Sequence, residues 1–180
     1  MQNLTELVVR TLVLYSLHEV QLGHAKTIWV EVGERSFSVA DDGRGHAIDR
    51  TVDDAPYLQF VYGHLDYPFG STAGKPIQLQ GLGMSLLSSL CAELSVIVCK
   101  PDARLHLRYR DGQLVGRDYS DEGSSSTGNR ISGTVRDALA MNAEPEQSLR
   151  AWLLSVASAM PKVTLRLNGE LLGTAASGVT

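Results

Sequence analysis

Apolar side chains recur at Leu4, Leu7, Val8, Leu12, Tyr15 and Leu22, close to helical spacing, and predict an amphipathic helix over Asn3 to Leu22 that Gly23 closes. "TIWVEV" (Thr27 to Val32) and "RSFSVA" (Arg35 to Ala40) alternate with period two around Gly33-Glu34, which is the pattern of a hairpin. Asp54 to Tyr62 reads as a short helix, and Gly63 to Gly83 as a long loop without periodicity. "GMSLLSSLCAEL" (Gly83 to Leu94) predicts a second core helix. "SVIVCK", "ARLHLRYR" and "GQLVGRDY" then read as a meander, the last two joined at Asp111-Gly112. A polar loop, "SDEGSSSTGN", precedes a strand over Arg130 to Asp137. Pro145 to Met160 follows as a helix opened by proline, and "KVTLRLNGELLG" as a hairpin turning at Asn168-Gly169.

Strands that follow one another by hairpins, with helices free to cover one face, predict an α+β two-layer sandwich in a single domain over residues 1–180. A doubly wound nucleotide fold does not fit, because no G-x-G-x-x-G stands between a strand and a helix. At 43% hydrophobic and 20% charged residues the chain falls in the ordinary globular range. The net charge of −4 argues against general DNA binding, which needs clustered Lys and Arg. Arg104, Arg108 and Arg110 come nearest to a basic patch and read as a solvated strand face. Cys91 and Cys99 lack metal-ligand spacing and read as buried thiols. The N-terminal apolar run is broken by Glu6, Arg10 and His18, which fits neither a signal peptide nor a membrane span, so the expected location is the cytoplasm.

Behind the second predicted strand lies "VADDGRGHAI" (Val39 to Ile48). An Asp-Gly turn accounts for part of it, but not for the second glycine or the histidine. Together "FSVADDGRGHAID", "LQGLGMSLLSSLCAELSVIVCK" and "SGTVRD" resemble, in order, the D-[DN]-G-R-G-[IM]-P motif, the glycine loop with its helix and strand, and the T-G-T strand of the GHKL ATPases. Within them the similarity is to the ATP-binding domain of the DNA gyrase B subunit and its topoisomerase relatives. The resemblance covers most of the chain and implies the GHKL, or Bergerat, fold: a mixed, mostly antiparallel sheet with helices on one face.

The resemblance also implies a site. Asp41 would accept the adenine amino group, which suits an acceptor-only carboxylate. Gly43 and Gly45 would turn the backbone beneath the base, and Arg44 would stack or pair at the pocket edge. Gly81, Leu82 and Gly83 would bring backbone N–H groups to phosphate, a role that competes with simple close packing at a helix start. Residues 63–83 would form the lid, with Lys75 its only lysine and its candidate phosphate contact. Thr134 would touch adenine directly or through water, or be an ordinary strand residue. His46 and Ala47 replace the usual Ile-Pro, and Gln80 a frequent histidine.

Family members carry E-x-x-x-N on the first helix, for the general base and a Mg²⁺ ligand. The corresponding positions here are Thr11 and Tyr15, with His18 at a common Asp position. Neither threonine nor a neutral phenol is a competent base or metal ligand at pH 7. Glu19, one turn beyond Tyr15, is the substitute to weigh. The expected function is therefore an adenine-nucleotide-binding domain, for ATP or ADP without dependable Mg²⁺ ligation, acting in regulation or in binding a protein partner. The competing readings are a slow ATPase based on Glu19, and a binding module whose pocket His46, Tyr15 and Gln80 have filled. The sequence offers nothing resembling a transducer or DNA-cleavage domain.

Overall fold

A computed structural model of the protein describes residues 4–52, 54–63, 84–136 and 145–173. The first helix, α1 (Leu4–Gln21), buries Val8, Val9, Leu12, Val13, Leu17 and Val20 on one stripe and leaves Leu14 and His18 outside. It ends where Gly23 takes φ 78°, with its N–H donating to Val20 O at 3.0 Å. Strands β1 (Thr27–Val32) and β2 (Ser36–Asp41) form the expected hairpin, with Ile28 opposite Asp41 and Val32 opposite Phe37.

A two-residue ladder, β3 (Thr51–Val52) with β4 (Ala55–Pro56), precedes α2 (Tyr57–Gly63). Helix α3 (Met84–Leu90) leads directly into β5 (Cys91–Cys99), followed by β6 (Arg104–Arg110), β7 (Gln113–Ser120) and β8 (Gly128–Val135). Helix α4 (Pro145–Ala159) and the hairpin β9 (Thr164–Leu167) and β10 (Glu170–Gly173) complete the order. Both predicted two-residue turns have left-handed backbone throughout: Asp111 and Gly112 at φ 51° and 80°, Asn168 and Gly169 at φ 47° and 83°.

The main sheet has eight strands in the order β10-β9-β1-β2-β8-β5-β6-β7. Only β1 with β9 is parallel; every other neighbouring pair is antiparallel. Helix α1 packs on β1, β2 and β8, α3 on β5, and α4 on α1, β9 and β10. The core lies between this helical layer and the sheet. The α+β sandwich read from the sequence is the architecture observed.

Three local readings need correction. The second core helix stops at Leu90, and Cys91 to Leu94, predicted helical, already belong to β5. Pairing with β8 and β6 on both sides overrides the helical spacing of that segment. The β3–β4 ladder was not foreseen, being too short for a period to show. Of the two cysteines, Cys91 is buried but Cys99 is partly exposed. A bulge between Cys91 and Glu93 turns Cys91 inward, while Cys99 follows the outward parity of the rest of β5.

Gly128 is the tightest point of the sheet. Its φ is 128°, and a Cβ there would lie 1.9 Å from the backbone oxygen of Asp41. Gly169 also has positive φ, but nothing lies within 4 Å of its Cβ position. Gly128→Ala is therefore expected to cost about 2–4 kcal/mol, and Gly169→Ala about 1 kcal/mol, from backbone strain alone. Chemical denaturation of the two variants tests this, and equal losses would show that the close approach to Asp41 O carries no energy.

Candidate functional site

Phe37, Val39 and Asp41 of β2 point toward the helices, so the strand ends by placing a carboxylate beneath α1. Asp41 is only 7% exposed. Burial of a carboxylate demands compensating donors, and three are present. Ser16 of α1 donates its hydroxyl to Oδ2 at 2.9 Å, while the N–H groups of Gly43 and Asn129 reach Oδ1 at 3.0 and 3.4 Å. One carboxylate thus joins a helix, a turn and a strand.

The second carboxylate of the motif has a different task. Asp42 Oδ1 accepts the N–H groups of Lys26 and Thr27, at 2.7 and 2.9 Å, and anchors the start of β1. Arg44 pairs with Glu19: its Nε and Nη2 donate to the two carboxylate oxygens at 3.1 and 2.8 Å. Hydrogen bonding from Arg44 holds the Glu19 carboxyl below the usual range, against the opposing effect of burial. Gly45 sits at φ 71°, and its absent Cβ would meet Cys99 O and a Val98 methyl, both at 3.0 Å. Gly43 lies as close to Asp41 Oδ1, again at 3.0 Å.

Thr11 and Tyr15 both lie on α1. The Thr11 side chain is buried, and its hydroxyl donates to Leu7 O at 2.9 Å within the helix. Burial pushes the Tyr15 phenol up to about 12, so it is neutral throughout the physiological range. His46 folds over the end of the motif. Its N–H donates to Asn129 Oδ1 at 2.9 Å, and its Nε2 lies 3.2 Å from the hydroxyl of buried Tyr62. His46 as a residue is only partly buried, but its packed surroundings disfavour the imidazolium and lower its pKa; the charges of Asp41 and Glu19 oppose this.

The structure does not bring Thr134 to this place. Thr134 pairs with Ser36, five residues and about 17 Å along β2 from Asp41. It also projects from the opposite face of the sheet, since Ser36 and Asp41 differ in parity. Asn129 stands beside Asp41 instead. Gly81, Leu82, Gly83, Lys75 and Gln80, with the rest of the expected lid from residue 64 on, lie outside the described residues.

Ser16, Lys100, Thr127 and Asn129 escaped the sequence reading. Lys100 Nζ donates to the backbone oxygens of Arg44 and Gly45, at 2.9 and 3.0 Å, and Thr127 Oγ1 to Gly43 O at 2.8 Å. Only Ser16 left a usable sign: it stands between Leu12, Val13, Leu17 and Val20 on the buried stripe, where a hydroxyl needs a partner. Among the described residues, no group of three His, Cys, Asp or Glu side chains gathers to hold a metal ion.

The chain shares its fold with solved domains of gyrase B and topoisomerase IV. Among solved structures, the chain is similar to the 43K ATPase domain of Thermus thermophilus gyrase B, crystallised with an aminocoumarin, at TM-score 0.74 and 19% identity. It is also similar to the ATP-binding domain of Francisella tularensis topoisomerase IV, crystallised with a small-molecule inhibitor, at TM-score 0.70 and 20% identity. The first similarity covers 93% of this chain but only 45% of the gyrase chain, and the second covers 88% and 78%. No protein-family model and no curated protein matches the sequence.

A histidine kept neutral by its surroundings stabilises the fold above the unfolded-state pKa of about 6.5 and loses that contribution as pH falls. His46→Gln is therefore expected to reduce the drop in melting temperature between pH 7.5 and pH 5.5. Thermal unfolding of both proteins at the two pH values measures it. An identical drop would mean that His46 does not resist protonation in the native state.

Proposed function

We propose that this domain binds an adenine nucleotide, ATP or ADP, without relying on Mg²⁺, and that it works as a regulatory or partner-binding module with little or no ATP hydrolysis. The observation that carries this reading is the buried Asp41 carboxylate. Its donors occupy Oδ1 twice and Oδ2 once, which leaves acceptor capacity on Oδ2 for an exocyclic amine. Asn129 Oδ1 accepts the His46 N–H, which sets the orientation of the amide, and its Nδ2 has no hydrogen-bond partner among the described residues. An acceptor beside a donor complements the amino group and ring nitrogen of adenine, whereas guanine offers the reverse pattern.

The hydrolytic half of the site has no comparable support. A general base must reach the attacking water with a free lone pair. Thr11 donates its hydroxyl to Leu7 O and is no base at neutral pH, and the ion pair with Arg44 lowers the pKa of Glu19 and so weakens it as a base. A neutral phenol at Tyr15 does not replace an amide oxygen on Mg²⁺. These features favour binding over turnover and weigh against the slow-ATPase reading based on Glu19.

Calorimetric titration with a non-hydrolysable ATP analogue, with and without Mg²⁺, tests the proposal. Saturable binding of equal strength in both buffers is expected. Asp41→Asn should weaken it roughly 10- to 100-fold, because the amide would set a donor against the adenine amine. Absence of heat in both buffers would remove the nucleotide reading and leave a binding module on an inherited fold. Binding only with Mg²⁺ would overturn the metal-independent part.

A further inference from the structure

The His46 imidazole and the Tyr62 phenol are packed near Asp41, and neither has a task in the nucleotide reading. Asn129 ties His46 to Asp41. Its N–H reaches Asp41 Oδ1 at 3.4 Å, and its own Oδ1 accepts the His46 N–H at 2.9 Å. On its other side the imidazole meets α2, with Nε2 3.2 Å from the Tyr62 hydroxyl and the two rings edge to face at 6.0 Å. Tyr62 is fully buried, and this is the one hydrogen bond of its hydroxyl among the described residues. A buried phenol proton needs an acceptor, so Tyr62 is assigned as the donor and Nε2 as the acceptor. A neutral imidazole satisfies both groups. An imidazolium would turn an N–H toward the phenol oxygen and deprive the phenol proton of its acceptor.

The charged groups around His46 act in opposite directions. Asp41, at the end of β2, is foremost among those that favour the imidazolium; Glu19 of α1 adds to it, and Lys100, just after β5, opposes both. Burial keeps Tyr62 neutral, and it does the same for Tyr15 of α1 and Tyr109 of β6, which act on Tyr62 in turn. Arg44 is engaged with Glu19. Packing outweighs the two carboxylates, so the neutral imidazole is favoured. Asp41 is thus the main charge available to compensate a proton on His46. It is also the acceptor that the nucleotide reading gives to the adenine amine.

We propose that a proton on His46 and the amine of adenine compete for the Asp41 carboxylate, so that acid weakens nucleotide binding at this site. This inference rests on the nucleotide reading and adds its regulation. Linkage fixes the sign. An amine hydrogen-bonded to Asp41 draws on the negative charge that an imidazolium would use, so the bound state takes up a proton at His46 less readily than the free state. Binding then expels the proton from whatever fraction of His46 carries one, and by reciprocity the proton weakens binding. Because the free imidazole titrates below its ordinary range, binding is at full strength at pH 7.5 and declines on the acid side of that range.

Calorimetric titration of the full chain with a non-hydrolysable ATP analogue at pH 7.5, 6.5 and 5.5 is the test. The phosphates of the analogue titrate in the same range, so the readout is the difference between the wild-type protein and His46→Gln. Between pH 7.5 and 5.5 the wild-type protein is expected to lose about threefold more affinity than His46→Gln. At pH 5.5, heats in two buffers of unlike ionisation enthalpy should show more protons released on binding to the wild-type protein. Tyr62→Phe removes the donor that favours the neutral imidazole, so its affinity should begin to fall at higher pH than that of the wild-type protein; this variant carries the test if His46→Gln does not fold. Equal pH dependence in the wild-type protein and His46→Gln, or a Tyr62→Phe curve that matches the wild type, overturns the inference and leaves the nucleotide reading standing. Absence of heat at every pH removes the nucleotide reading itself, and this inference with it.

Discussion

Fixation of the Asp41 carboxylate is the constraint on which the site depends. A single buried charge is costly unless donors surround it, and here the donors come from α1, from the turn after β2 and from β8. Those three elements are distant in sequence, so satisfying one side chain fixes their relative positions. Gly128 belongs to the same constraint. Any side chain there would collide with Asp41 O and push β8 away, carrying off the Asn129 donor. The proposed recognition chemistry and the sheet packing therefore meet at the same few atoms.

The turn that follows is held from outside as well as from within. Lys100 and Thr127 take up the backbone oxygens of Gly43, Arg44 and Gly45, while Glu19 grips the Arg44 side chain. Backbone oxygens without strand partners would otherwise depend on solvent. Their side-chain partners give a loop of mostly irregular backbone a defined shape. The same contacts engage Glu19, so the pairing that orders the turn also lowers the basicity of this carboxylate.

Much of the architecture was legible in the sequence because its signals are local. Alternation gave β1 and β2, and Asp-Gly and Asn-Gly gave two hairpins whose turns have the left-handed backbone those pairs favour. The order of motifs pointed to the fold. Legibility failed where a long-range register decides. Thr127-Gly128-Asn129 and Ser132-Gly133-Thr134 both set a hydroxyl residue, a glycine and a polar residue in line, and composition alone does not separate them. Pairing of β2 with β8 does: it puts Asn129 at the Asp41 end and Thr134 at the far end, on the other face. Lys100 was invisible for a similar reason, since its contact with the turn spans more than fifty residues.

Alternation along shared strands also explains how one sheet can carry two unlike surfaces. In β2, Phe37, Val39 and Asp41 serve the helical side while Ser38 faces the open side; in β8, Asn129 and Ile131 alternate with Arg130 and Ser132 in the same way. A one-residue slip in β8 would exchange the two sets, burying Arg130 and exposing Ile131. Apolar burial on one face therefore fixes the chemistry of the other. Ser38, Ser132 and Ser95, paired in line across β2, β8 and β5, need no specification of their own register, because Val39, Val96 and Ile131 have already set it from the buried side. This separation lets the open face vary in hydroxyls and charges without disturbing the core that holds Asp41 in place.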